Sequence, residues 1–159
     1  RMIYILAGDV RSGKTTALQE WVNTWDTVKG ILCPEGHDNL RYLYNIETQE
    51  KHSFQRLKQE EKTISVGKFH FLEDTFKLAN YILISSFEEG NFDFLVLDEL
   101  GKLELEGKGL HQAANYIIGN YQSNDNQNLL LVVRTNLVKD IIAHYGIRSF
   151  QIVASETLP

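Results

Sequence analysis

Hydrophobic positions along the chain fall into short solid runs, separated by longer stretches with helical spacing. Ile3-Tyr4-Ile5-Leu6-Ala7, Val28-Lys29-Gly30-Ile31-Leu32, residues 92–97, Leu129-Leu130-Leu131-Val132-Val133 and Phe150-Gln151-Ile152-Val153 read as strands. The solid runs among them fit strands buried on both faces. Leu18, Trp21, Val22 and Trp25 recur at helical spacing, which predicts a first helix ending near Trp25. Phe76, Ala79, Tyr81, Ile82, Leu83 and Phe87 give a second helix its broad apolar face, with Asp74 as cap and Gly90-Asn91 as stop. Residues 110–121 predict a third helix. Leu137, Val138, Ile141, Ile142 and Tyr145 predict a fourth, capped by Asn136. Phe69-His70-Phe71 is a further short strand. Residues 40–45 and 52–57, flanking Glu47-Thr48-Gln49-Glu50, read as a hairpin inside an inserted region of about 38–66, and Lys58-Gln59-Glu60-Glu61-Lys62 reads as a solvated loop. The alternation predicts a three-layer α/β fold, a mostly parallel sheet with helices on both faces and an inserted β-hairpin, in a single domain over residues 1–159.

Composition narrows the function classes. The 159 residues are 43% hydrophobic and 23% charged, an ordinary globular balance. A net charge of −5 argues against a nucleic-acid surface as the main business. No apolar run has the length of a membrane span, and no charged-then-apolar leader opens the chain. Cys33 is the only cysteine, so no internal disulfide can form, and a reducing cytosol fits. The five histidines, His37, His52, His70, His111 and His144, show no metal-ligand spacing.

Candidate chemistry begins after the first strand. Gly8-Asp9-Val10-Arg11-Ser12-Gly13-Lys14-Thr15, followed by Thr16, fits a phosphate-binding loop between a strand and a helix. Loop N–H groups wrap phosphates along a path that glycine permits, and the helix N-terminus adds its partial positive charge. Lys14 supplies a charge for the β- and γ-phosphates, and Thr15 a hydroxyl for Mg²⁺. The second signal is Phe94-Leu95-Val96-Leu97-Asp98-Glu99, an apolar strand ending in two carboxylates. Beside a phosphate loop, Asp98 can orient metal-bound water, and Glu99 can polarise a water for attack on the γ-phosphorus. That pair points to the branch of phosphate-loop folds with an additional strand between the Lys strand and the Asp strand.

The continuation Asp98-Glu99-Leu100-Gly101-Lys102-Leu103-Glu104-Leu105 resembles the Asp-Glu-Ile-Gly-Lys-Met-Glu-Leu signature of a small nucleoside-triphosphatase family. The resemblance implies a P-loop NTPase with a RecA-like fold, Mg²⁺-dependent and loose in base preference, acting on ATP, GTP or other triphosphates. It implies Lys14 and Thr15 at the phosphates and metal, Asp98 behind the metal and Glu99 as base, and it sets Lys102 on the signature lysine. Val10 and Arg11 depart from the proline and glycine of the family loop, and Gly30-Ile31-Leu32-Cys33-Pro34-Glu35 is the nearest match to a Gly-Phe-x-Thr-Glu-Glu stretch.

Arg134 and Asn136, after the strand at 129–133, are candidate sensors of the γ-phosphate; Arg11 and Arg148 are further cations without a spacing that assigns them. An arginine delivered to the transition state is worth roughly 10³–10⁵-fold in phosphoryl transfer. None here has an identifying spacing, so slow intrinsic hydrolysis is expected unless a protein partner or second subunit supplies the cation. A small-molecule or nucleotide kinase, and a nucleotide-dependent binding switch, are the alternatives.

Overall fold

The computed structural model describes residues 2–9, 14–122 and 126–159. Its main sheet takes β1 (Ile3–Gly8), β2 (Val28–Leu32), β3 (Tyr42–Asn45), β4 (Lys51–Ser53), β8 (Phe94–Leu100), β9 (Asn128–Arg134) and β10 (Gln151–Val153) in the order β10-β1-β9-β8-β2-β3-β4. The five strands from β10 to β2 run parallel, and β3 and β4 are antiparallel additions at one edge. β9 therefore separates β1 from β8, which is the additional-strand arrangement expected from the two carboxylates.

Residues of alternating parity on each strand go to different cores. Leu95, Leu97, Leu129, Leu131 and Ile31 pack beneath α2 (Glu73–Glu89), α4 (His111–Asn120) and α5 (Val138–Tyr145). Phe94, Val96, Leu130, Val132 and Leu32 pack on the opposite face with Leu18 and Trp21 of α1 (Lys14–Trp21). The solid apolar runs follow from this two-sided burial, each large side chain contributing roughly 1.5–3 kcal/mol. Gly30 sits at φ 110° where β2 meets β8, and a Cβ there would collide with the Val96 carbonyl oxygen.

Several expectations need correction. α1 ends at Trp21, so Trp25 lies beyond it. Both indole N–H groups donate to the Pro159 carbonyl, at 2.6 and 3.0 Å, and both rings meet Phe94 edge-on. Asp74 is not a cap, because β7 (Phe69–Leu72) runs straight into α2 and Leu72 takes the cap position. Asn136 falls inside a 3-10 turn, Thr135–Leu137, and makes no cap bond either. The hairpin arms are shorter than predicted. The second arm divides at Phe54: Lys51–Ser53 stays with β3, while β5 (Gln55–Arg56) joins β7 and β6 (Thr63–Val66) in a separate three-stranded sheet. Phe54 causes the division by burying its ring against Phe71 and Phe76, with centroids 4.8 Å from each. The hairpin thus extends the main sheet, and the small sheet is the appended element. Among the described residues no helix is long and apolar enough to cross a membrane.

Candidate functional site

β8 carries a bulge. Leu97 pairs with Leu131 and Leu100 with Val133, so β8 takes one residue more than β9 over this interval. Glu99 lies within it at φ 68°, a left-handed conformation that costs a non-glycine residue about 1 kcal/mol or more. The extra residue returns Leu100 to the same core as Leu97. A regular strand would send positions 98 and 99 to opposite faces. With the bulge between them, Asp98, which is buried, and Glu99, which is half-exposed, line one cleft of about 720 Å³. The sequence placed this pair at the end of a strand; it lies within the strand, in the irregularity.

The peptide units of Cys33, just past β2, organise both carboxylates. The Cys33 N–H donates to Asp98 Oδ2 at 2.8 Å. Its carbonyl accepts from Arg41 Nη1 at 2.6 Å, and that same nitrogen stands 3.2 Å from Glu99 Oε1. Arg41 therefore ties the stretch after β2 to the candidate base. Burial pushes the Cys33 thiol up, and the nearby Asp98 and Glu99 push it the same way, so the thiol stays protonated. Glu104 sits in the short α3 (Lys102–Leu105), almost fully buried, and accepts from the Gly101 N–H at 2.6 Å and the Leu110 N–H at 2.8 Å. Those two bonds fix the chain that follows Glu99. Burial raises its carboxyl to about 7, against the pull of the two hydrogen bonds.

Only some of the remaining candidates share the cleft. Gly8, ending β1, pairs with Arg134, ending β9, and β9 adjoins β8. Arg134, Asn136 and Lys102 line the cleft with Asp98 and Glu99. Thr15 and Thr16 lie in the first turn of α1, Thr15 half-buried and Thr16 exposed, and Asp9 is exposed beyond β1. Val10, Arg11, Ser12 and Gly13 lie outside the described residues, as does the Lys14 side chain. Arg148 is exposed and does not line the cleft. Among the described residues no three His, Cys, Asp or Glu side chains form a metal cluster.

Two residues of this site escaped the sequence reading. Arg41 was one polar position in a hairpin arm, and nothing in its spacing connects it to Glu99. Glu104 stands in the stretch Asp98 to Leu105 that carries the family resemblance, but nothing in that stretch attached a role to it.

Comparison with known proteins gives the family and the fold. A family model described as NTPase matches residues 3–156. The chain belongs to that NTPase family. As a member it is a nucleoside-triphosphatase. The crystal structure of THEP1 from the hyperthermophile Aquifex aeolicus is similar in fold, with a TM-score of 0.72 at 23% identity over 96% of this chain and 89% of that one. A comparison with curated proteins finds no match.

Proposed function

We propose that this NTPase cleaves the β–γ phosphate bond of ATP or GTP by direct attack of water, with Glu99 as the base. The observation that carries this reading is the β8 bulge, which gives Asp98 and Glu99 a common cleft near the carboxyl end of β8, one strand removed from β1. Strand ends of this kind are where α/β sheets bind ligands. Residues 8–16 would hold the triphosphate, with loop N–H groups and Lys14 countering the charge that develops on the phosphates. Glu99 would take the proton of the attacking water as its oxygen bonds to the γ-phosphorus. The bond from the γ-phosphorus to the bridging oxygen breaks, and the nucleoside diphosphate leaves with the electron pair.

A carboxylate and a hydroxyl are the hard oxygen donors that Mg²⁺ prefers, so Asp98 and Thr15 fit as its protein ligands. Bound there, the ion would supply positive charge to offset the charge that develops on the transferred phosphate. Arg41 acts on Glu99 as a positioning residue. Because its guanidinium is already engaged with Glu99 and the Cys33 carbonyl, we keep the expectation of slow turnover without a cation from a second protein or subunit. Residues 1–159 are read as one domain, with the segment of about 38–66 inserted between β2 and α2.

The test is phosphate release from Mg²⁺-ATP and Mg²⁺-GTP by the purified chain and by Lys14→Ala. Release by the wild type, and its loss together with nucleotide binding in Lys14→Ala, is expected. Unchanged binding and release in the variant would remove the phosphate loop from the account.

A further inference from the structure

Beyond the γ-phosphate, a hydrolase needs room beside its base for only one water, which fills about 30 Å³ in the liquid. The cleft at Glu99 is about 720 Å³, within the range of roughly 300–1,000 Å³ typical of small-molecule sites. Its floor is apolar. Phe54, Phe71 and Phe76 form a mutually contacting aromatic group there, with centroids 4.8–6.1 Å apart. Its outer wall is the small sheet, which carries no candidate for the phosphate chemistry. The two-residue turn at Gly67-Lys68 joins β6 to β7, and Val66 and Phe69, paired across it, line the cleft. Phe69 leaves 41% of its surface exposed. The lining also has a polar, cationic part, with Arg41, Lys68 and Lys102, and Arg41 Nη1 stands 3.2 Å from Glu99 Oε1. An apolar aromatic floor with a polar part to the lining suits a molecule with a planar ring body and a polar, hydroxylated end.

We propose that this cleft is an acceptor site for a hydroxylated heteroaromatic molecule of nucleoside size, whose alcohol replaces water as the nucleophile toward the γ-phosphate. The proposal rests on the reading of Glu99 as base. The ring body stacks over the Phe54, Phe71 and Phe76 floor with Phe69 along its edge, which directs the hydroxyl toward the polar part of the lining. Its oxygen bonds to the γ-phosphorus, its proton passes to Glu99, and the bond to the bridging oxygen breaks. The products are a phosphomonoester and a nucleoside diphosphate. The aromatic contacts hold the alcohol while the diphosphate departs, and water completes the slower reaction when the cleft is empty.

The experiment incubates the chain with Mg²⁺-ATP and, in turn, adenosine, guanosine, cytidine, uridine or pyridoxine, and quantifies ADP, free phosphate and phosphorylated alcohol by mass spectrometry. With at least one alcohol, ADP should exceed free phosphate by the amount of ester formed. Val66→Trp, which fills the outer wall, and Phe69→Ala, which removes it, should each lower ester formation about tenfold while hydrolysis without alcohol stays within about twofold. ADP and phosphate in equal amounts with all five alcohols, while hydrolysis proceeds, would overturn the acceptor site and leave the hydrolase reading standing. Ester formation unaffected by both variants would overturn its location. Absence of both hydrolysis and transfer would instead remove the reading of Glu99 on which the proposal rests.

Discussion

Replacing Glu104 by glutamine should change how stability depends on pH, and the sign follows from burial. The Glu104 carboxyl is raised from the ordinary 4.5 to about 7. Between those values the native chain holds a proton that the unfolded chain has released. Stability is then fully present below about pH 4.5 and declines as pH rises, the loss being complete just above 7. At about 1.4 kcal/mol per tenfold change in proton affinity, the loss amounts to roughly 3 kcal/mol. Glu104→Gln abolishes that titration but not without cost. Its amide oxygen can accept from only one of the Gly101 and Leu110 N–H groups at a time, and stranding the other costs about 1–3 kcal/mol. At pH 5 the variant should therefore be the less stable protein by about 1–3 kcal/mol. By pH 8.5 the difference should shrink to near zero or reverse, because only the wild type has lost stability in between. Urea titrations at several pH values measure this, followed by the fluorescence of Trp21 and Trp25, which pack on Phe94. Taking the difference between the two proteins cancels the titrations they share. A difference that stays constant from pH 5 to 8.5 would refute the raised carboxyl.

Other expectations are shorter to state. Gly30→Ala should destabilise the chain by about 3 kcal/mol or prevent folding, since the new Cβ meets the Val96 carbonyl and φ is unfavourable; a loss below about 1 kcal/mol in urea titration would contradict the close approach of β2 and β8. Arg41→Ala frees Glu99 from its ion pair and should lower kcat by at least about tenfold with KM nearly unchanged, and Arg41→Lys should recover part of the loss; equal kcat in all three proteins would end its positioning role. Trp21→Phe deletes the indole N–H that reaches the Pro159 carbonyl and should cost about 1 kcal/mol, with faster amide exchange around residues 155–158; exchange as slow as in the wild type would contradict the contact.

Much of the fold was legible because its central strands are buried on both faces. Residues 94–97 and 129–133 can be little else than core strands, and the pair Asp98-Glu99 fixed the expectation that another strand separates β8 from β1. The edge of the fold was harder to read. β5 has two residues and β4 three, both partly exposed, so neither leaves a period that sequence can reveal. The switch of sheets at Phe54 depends on tertiary packing with Phe71 and Phe76. At the site, the residue types were readable but their geometry was not. Nothing in a row of apolar residues followed by Asp98 and Glu99 announces a left-handed φ at Glu99. Arg41 reaches that glutamate only because the chain returns past Cys33.

The central claim is that Glu99 activates the nucleophile and does not hold the nucleotide. Single-turnover hydrolysis of Mg²⁺-ATP by Glu99→Gln, read beside equilibrium binding of the same nucleotide, separates those roles. The account predicts binding within a few-fold of the wild type and a chemical step slowed by at least about a hundredfold, in the range of general-base catalysis. A Glu99→Gln protein that hydrolyses at the wild-type rate would contradict it.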